Sequence, residues 1–188
     1  MSTNPTPLRL PAWARKGSPL ARGARPLRVL LREDALTTVC EEARCPNLGE
    51  CFSRGTATFM LLGDRCTRRC SYSSVSTARP LPPDPAEPAR VAEAAARMGL
   101  RYVVLTSVNR DDLADGGASH FADTVRAVRR ALPRAGIEVL VPDFKGDREA
   151  LRAVLEAGPE VFNHNIETVP RLFPLLRPQG RYRLSLEV

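Results

Sequence analysis

The sequence contains little lysine, few aromatic residues and no long apolar run. Lysine occurs only at Lys16 and Lys145 of the 188-residue chain, and Phe, Trp and Tyr together make up 5% of it. No apolar run approaches the roughly 20 residues that a membrane span requires. Residues 1–20 also lack the apolar core of a secretory signal. We therefore predict a cytoplasmic protein without a membrane partner.

The charge is strongly basic, and nearly all of the positive charge is arginine. Lys and Arg number 28 against 21 Asp and Glu, which gives a net charge of +7. Such an excess can indicate a nucleic-acid partner, but the arginines are scattered and no series of base-stacking aromatic residues accompanies them. The sequence argues against nucleic acid and leaves a basic surface that would attract an acidic partner.

Cysteine is absent outside one stretch, and there it falls into two groups. Cys40, Cys45 and Cys51 form C-x4-C-x5-C, and Cys66 and Cys70 form C-x3-C. Ser73 stands where a third cysteine would complete C-x3-C-x2-C, the spacing of radical S-adenosylmethionine (SAM) enzymes. Thiolates at short loop spacings bind soft iron. The two groups therefore predict iron–sulfur sites.

Cysteines can also bind zinc, form disulfides or lie buried without a ligand. Zinc prefers four ligands, often as C-x2-C pairs or with added histidines, and both histidines, His120 and His164, are distant in sequence. Disulfides suit secreted frameworks with an even cysteine count, whereas this chain has five cysteines. Buried cysteines without a ligand would not explain why all five lie together. Each alternative is weaker than iron–sulfur binding, and none is excluded by the spacing alone.

Apolar segments alternate with helical patterns along the chain, which predicts an α/β fold with a parallel sheet. The predicted strands are residues 56–62, 102–107, 137–141 and 161–166, with a fifth beginning at 183–188. The predicted helices are residues 88–98, residues 118–132 and a helix capped by Asp147 that ends at Glu156. Pro46 and Gly49 predict an irregular loop around the first cysteine group.

The fourth predicted strand, VFNHNI, is too polar for a strand buried on both faces. We expect Asn163, Asn165 and Glu167 to point into a cavity. His164 alternates with them, so we expect it to face the other way and to have a structural role.

Four segments resemble the lipoyl synthases, a family of radical SAM enzymes. They are residues 38–70 (TVCEEARCPNLGECFSRGTATFMLLGDRCTRRC), 106–121 (TSVNRDDLADGGASHF), 137–147 (IEVLVPDFKGD) and 162–172 (FNHNIETVPRL). The resemblance extends from about residue 27 to the end. It implies a partial (β/α) radical SAM barrel with an N-terminal cysteine-rich extension.

The resemblance also implies two 4Fe–4S clusters. An auxiliary cluster, consumed as the sulfur source, would be held by Cys40, Cys45 and Cys51. A second cluster, held by Cys66, Cys70 and Ser73, would pass one electron to SAM and cleave it to methionine and a 5′-deoxyadenosyl radical. Sulfur would be inserted at C6 and C8 of an octanoyl group on a lipoyl carrier protein, with an electron donor as further partner.

The same resemblance implies SAM contacts near the ends of the second and fourth strands. At the second strand the candidates are Thr106 and Ser107. At the fourth, Asn163 and Asn165 are candidates for contacts to SAM or to the substrate. Glu167, expected to point into the same cavity, is a further cofactor-binding candidate. Asp111 and Asp112 are expected to orient SAM or neighbouring arginines.

We expect three regions in the chain. Residues 1–26 form a flexible arm, residues 27–55 the auxiliary cluster-binding extension, and residues 56–188 a barrel that is incomplete after four to five strands. Ser73 and the lack of the family's C-terminal Arg-Ser-Ser-Tyr motif are departures from the family pattern. They leave open an alternative, an inactive iron–sulfur or carrier-binding remnant without radical chemistry.

Overall fold

A parallel four-stranded sheet, covered on one face by helices, forms the centre of the fold. A computed structural model of the chain describes residues 36, 38, 39, 45 and 47–188. The strands are β1 (Thr56–Leu61), β2 (Tyr102–Ser107), β3 (Gly136–Leu140) and β4 (Val161–Asn163). They lie in the order β1-β2-β3-β4, all parallel, so each strand pairs with the next one along the chain.

Helices make the crossovers between the strands. The described helices are α1 (Leu48–Ser53), α2 (Glu87–Arg97), α3 (Ala118–Ala131), α4 (Arg148–Glu156), α5 (Phe173–Leu176) and α6 (Tyr182–Glu187). A 3-10 turn (Phe144–Gly146) precedes α4. Connections of this kind are required because consecutive parallel strands cannot be joined by a tight hairpin.

The core lies between one face of the sheet and helices α2 to α4. Paired residues of neighbouring strands share a face, and one such row, Phe59, Leu105 and Val139, is fully buried. Phe121 and Val125 of α3 pack into the same core, as their helical spacing predicts. Leu132, expected there too, is half-buried against it just beyond the end of α3.

The opposite face of the sheet is more polar. The adjacent row Met60, Thr106, Leu140 and Asn163 lies on it. Polar residues on this face leave it free to line a binding site, because only one face of the sheet is needed for the core.

The predicted fifth strand is wrong, because residues 182–187 form helix α6. The segment RYRLSLEV alternates apolar and polar residues, which predicted a strand. Tertiary contacts determine the outcome instead. Tyr182 packs edge-on against Phe173 with ring centroids 5.5 Å apart, and Leu184 lies against Gly146, where a Cβ would come within 2.5 Å of it. Ser185 is buried while Leu186 is exposed.

Two other predicted boundaries differ from the structure. β4 ends at Asn163, three residues before the predicted end at residue 166. Beyond β3, the Val141 N–H donates to Asn163 O at 2.9 Å, and the register of β3 with β4 extends no further than Asn163. The expected loop around Cys51 is in part helical, since Gly49 and Cys51 both lie within α1. Residues 1–35 and Cys40, which include the expected flexible arm, lie outside the described residues.

Within the described part of the chain, no helix combines the length and apolar character that a membrane crossing demands.

The contribution of the N-cap of α4 to the stability of the fold can be measured. The Asp147 carboxylate accepts hydrogen bonds from the backbone N–H groups of Glu149 (2.9 Å) and Ala150 (3.2 Å), as the sequence predicted. We expect Asp147→Ala to lower the free energy of unfolding by about 1 kcal/mol, measured by urea denaturation. Asp147→Asn keeps an acceptor and should change it by only a few tenths of a kcal/mol. Equal losses in both variants would contradict a capping role.

Candidate functional site

A cavity of about 400 Å³ opens at the carboxyl end of the sheet. Its floor is the row Met60, Thr106 and Leu140, and its walls are the loops that follow each strand. Parallel α/β folds place their sites at this end, because the loops that follow all the strands meet there.

Both cysteines of the C-x3-C group and Ser73 line this cavity. We call residues 66–73 the thiol loop. Cys66 and Cys70 are half-buried free thiols. The backbone N–H of Cys66 donates to Ser76 O at 2.8 Å, which closes the base of the loop. The Ser73 N–H donates to Cys70 O (3.1 Å), and Ser73 Oγ accepts from Val75 N (3.2 Å).

Neutral hydrogen bonds fix the thiol loop to two neighbouring segments. The Thr67 N–H and hydroxyl both donate to Asn109 O, at 3.0 and 2.8 Å, in the loop after β2. The Ser71 N–H donates to Leu176 O at 3.1 Å, and the Arg69 N–H donates to Gln179 Oε1 at 3.1 Å. The loop is therefore held in place from both sides of the cavity.

Arg68, between the two thiols in sequence, points away from solvent and binds two carboxylates. Its Nε and Nη2 donate to Asp111 (2.7 and 2.9 Å), and its Nη1 and Nη2 donate to Asp143 (both 2.7 Å). Burial alone would lower the pKa of Arg68, but these hydrogen bonds raise it above its usual value. Burial would raise the pKa of Asp143, yet the contact with Arg68 holds it below its ordinary range. Asp111 thus pairs with an arginine, one of its two expected roles, and Asp112 pairs with Arg110 (2.8 Å).

Four of the five predicted cofactor-binding residues line the cavity: Thr106, Ser107, Asn165 and Glu167. The hydroxyls of the first two donate to Leu140 O (2.9 Å) and Val108 O (2.8 Å). Glu167 has a left-handed backbone (φ 69°), which is uncommon for a residue other than glycine.

Asn163 and His164 differ from their expected positions. Asn163 lies in the same row as Thr106 but does not line the cavity, since its Nδ2 donates to Glu138 Oε1 at 2.7 Å. His164 was expected to face away, yet it lines the cavity, with Nδ1 bonded to Val141 O at 2.8 Å. The strand has already ended at Asn163, so strict alternation no longer applies to His164.

Arg177 is a cavity residue that the sequence reasoning missed. It is only 5% exposed, and its Nη1 donates to Asn165 O at 2.9 Å. Its guanidinium lies 5.4 Å from the centroid of the Phe173 ring. Arg68 and Arg110 are buried with carboxylate partners, whereas Arg177 forms no ion pair within 4 Å in the described part of the chain. One arginine in an arginine-rich sequence carries no signal that would have identified it.

The two described cysteines of the first group, Cys45 and Cys51, are not among the residues that line this cavity. Both are half-buried free thiols near α1. Cys40 is outside the described residues. The ligand set Cys40, Cys45 and Cys51 therefore stays a prediction.

The donors at the cavity suit an iron–sulfur cluster better than a single metal ion. Among the described residues, no three His, Cys, Asp or Glu side chains converge as they would around one ion. Two cysteines and one serine line the same cavity of about 400 Å³. Soft donors favour iron–sulfur clusters, and the harder Ser73 oxygen is the weakest of the three.

Comparison with known proteins identifies the class. Residues 60–188 match the family model described as the radical SAM superfamily. The fold is also similar to a crystal structure of methylornithine synthase (PylB), with a TM-score of 0.54 and 15% identity over 93% of this chain and 52% of that one. The chain belongs to the radical SAM superfamily, and the predicted partial radical SAM barrel is confirmed.

Lipoyl synthases are among the proteins that this chain resembles most in sequence. Identity is 57% over 178 residues to that of Rubrobacter xylanophilus and 57% over 183 residues to that of Methylococcus capsulatus. It is 54% over 181 residues to that of Nitratidesulfovibrio vulgaris. The matches cover 95%, 97% and 96% of this chain but 56%, 57% and 61% of those proteins. The predicted resemblance is confirmed, and the chain spans little more than half the length of these relatives.

The depressed pKa of Asp143 predicts a pH dependence of stability. The unfolded carboxyl titrates near pH 3.9 and the folded one lower, so its stabilising effect is present above about pH 4 and is lost as the pH falls through the folded pKa. We expect the difference in unfolding free energy between the original chain and Asp143→Asn to be constant near neutral pH. It should shrink below about pH 4, as measured by urea denaturation of the metal-free protein.

An exposed carboxylate provides the control for this pH series. Asp123 pairs with Arg126 at the surface, and Asp123→Asn should show little difference at any pH. The prediction would be contradicted if the difference in unfolding free energy between the original chain and Asp143→Asn stayed constant well below pH 4.

Proposed function

We propose that the chain carries out lipoyl synthase chemistry, the insertion of sulfur at C6 and C8 of protein-bound octanoyl groups. The observation that carries this proposal is the cavity at the carboxyl end of a radical SAM sheet. Both cysteines of the C-x3-C group line that cavity, in a chain 54–57% identical to lipoyl synthases. In this proposal the protein is a cytoplasmic sulfur-inserting enzyme whose partners are an octanoylated carrier protein and an electron donor.

Cys66, Cys70 and Ser73 would hold one 4Fe–4S cluster in the cavity. When bound and reduced, that cluster supplies the single electron that cleaves SAM. The thiol loop contributes by holding its donors along one wall, through the hydrogen bonds of Thr67 and Ser71. A second 4Fe–4S cluster, the sulfur source, would lie on Cys40, Cys45 and Cys51.

The remaining cavity residues would bind the polar groups of SAM. Arg177 offers a buried positive charge without a contacting carboxylate in the described chain, so it would pair with the SAM carboxylate. The Glu167 carboxylate would accept hydrogen bonds from the amino group or the ribose hydroxyls. The Asn165 amide could donate hydrogen bonds to these groups or accept them. The Thr106 hydroxyl already donates to Leu140 O, which leaves its oxygen free to accept.

The basic surface suits an acidic carrier. The net charge of +7 would speed encounter with a negatively charged carrier domain at low salt. This contribution concerns association rate, and the chemistry depends on the cavity.

The function is tested by low-temperature EPR of the anaerobically reconstituted and reduced chain, with and without SAM. We expect a cluster signal that changes when SAM is added, because SAM would ligate the open iron. Cys66→Ala/Cys70→Ala should remove the SAM-dependent change, and Cys45→Ala/Cys51→Ala should keep it. Ser73→Cys should increase the amplitude of the SAM-dependent signal, since it replaces the hardest donor by a thiol.

A signal that ignores SAM in the original chain and in Ser73→Cys would contradict the proposal. That outcome would favour the inactive iron–sulfur or carrier-binding remnant.

The role of Arg177 is tested with two ligands. Arg177→Met should weaken SAM binding on the order of 10- to 100-fold, because a charged hydrogen bond is lost. Binding of decarboxylated SAM should hardly change. Equilibrium dialysis of the reconstituted protein measures both, with the exposed Arg171→Met as control. Equal losses for the two ligands would show that Arg177 does not contact the carboxylate.

A further inference from the structure

We infer that Arg68 is a positioning residue whose two carboxylate partners fix the thiol loop so that Cys66 and Cys70 face the cavity. Arg68 lies two residues after the first thiol and two before the second, and its side chain enters the protein interior. The inference rests on the proposed function, since it concerns the loop that would hold the cluster.

The contacts of Arg68 connect three loops that meet at the cavity. Asp111 follows β2 and Asp143 follows β3, while Arg68 belongs to the loop after β1. The side chains of Arg68 and Asp143 are 3% and 1% exposed, and that of Asp111 is 28% exposed. A planar guanidinium with two bidentate carboxylates has little freedom to rotate, so the backbone at Arg68 has little freedom to move.

The Asp143 carboxylate is itself held by an unusual turn. Phe144 and Lys145 have left-handed backbones with φ of 42° and 55°. Asp143 Oδ1 accepts from Lys145 N at 3.0 Å, and Lys145 Nζ donates to Asp111 O at 2.7 Å. Two adjacent residues in this region cost free energy that surrounding contacts must offset. Such a turn is an independent sign that the position of Asp143 is constrained.

The backbone of Arg68 also contacts one of the two thiols directly. The Arg68 N–H donates to Cys66 Sγ at 3.4 Å, so the backbone fixed by the Arg68 side chain is the one that contacts the thiol. A hydrogen bond to a ligand atom helps to orient that atom toward its metal. Neighbours that orient a ligand commonly change metal affinity by about 10- to 100-fold when they are replaced.

Arg110 provides a matched control elsewhere in the same region. Its side chain is 1% exposed and binds Asp112 in a bidentate manner, at 2.9 and 2.8 Å. It also donates to Leu62 O and Leu81 O, and none of its hydrogen bonds is to a residue of the thiol loop. Arg110 therefore shares the burial and the ion pairing of Arg68 without its position beside the thiols.

The experiment compares Arg68→Lys with Arg110→Lys in the full chain. Cys40, Cys45 and Cys51 are replaced by alanine, so that bound iron reports on the thiol loop alone. After anaerobic reconstitution, iron and sulfide per chain, the EPR spectrum of the reduced protein and the rate of iron loss to a chelator are measured. The melting temperature of each metal-free variant reports its folding.

We expect Arg68→Lys to lose iron about 10-fold faster than its parent, because lysine cannot contact both carboxylates in one plane. Arg110→Lys should lower the melting temperature without this change in iron loss. Asp111→Asn, which leaves the Asp143 contact intact, should lie between the parent and Arg68→Lys. This milder variant keeps the test informative if Arg68→Lys does not fold.

Two results would overturn the inference while leaving the proposed function in place. In the first, Arg68→Lys and Asp111→Asn both lose iron at the rate of the parent. In the second, Arg68→Lys loses iron no faster than Arg110→Lys does. A parent that binds no iron, even with Ser73→Cys, would overturn both the proposed function and the inference.

Discussion

One guanidinium and two carboxylates, largely removed from water, join the loops that follow the first three strands. Transferring charged groups from water costs several kcal/mol each, and the Arg68 contacts with Asp111 and Asp143 offset this cost only because their geometry satisfies the charges. Removal of one partner from such a pair costs about 3–5 kcal/mol, since a buried charge is left alone. The loops are therefore coupled. The thiol-bearing wall of the cavity cannot shift without breaking contacts to the loops beside it.

The sheet and the helices between its strands were largely predictable, because each of these elements carries its own local signal. Segments such as YVVLTS are β-branched and apolar, and the α3 pattern places Phe121 and Val125 on one face. Asp147 is an N-cap residue by type and by position. Where local pattern and tertiary contact disagree, as in residues 182–187, the contacts of Tyr182 and Leu184 determine the structure. A single sequence does not contain those contacts.

The candidate site was predictable only in part, and for a related reason. Thiols have few structural roles that require clustering, so their spacing indicated Cys66 and Cys70, and the resemblance to lipoyl synthases gave them a role. Arginine is used everywhere on this chain, so Arg68 and Arg177 could be distinguished only by burial and by their partners. His164 illustrates a further limit. Its orientation depends on where β4 ends, and the pattern VFNHNI predicts a strand three residues longer than the one that forms.

Ser73 changes the chemistry of the site more than its geometry. Its backbone hydrogen bond to Cys70 O and the turn to Val75 keep the residue beside the cavity, where a cysteine of similar size would also fit. The difference is the proton, because a serine hydroxyl is far harder to ionise than a thiol with a pKa of about 8.5. The Val75 N–H donates to Ser73 Oγ and so favours the ionised oxygen, but one neutral donor at 3.2 Å is a weak contribution. Most of the affinity for a cluster must then come from Cys66 and Cys70, which makes the rigidity of the backbone between them the property on which the site depends.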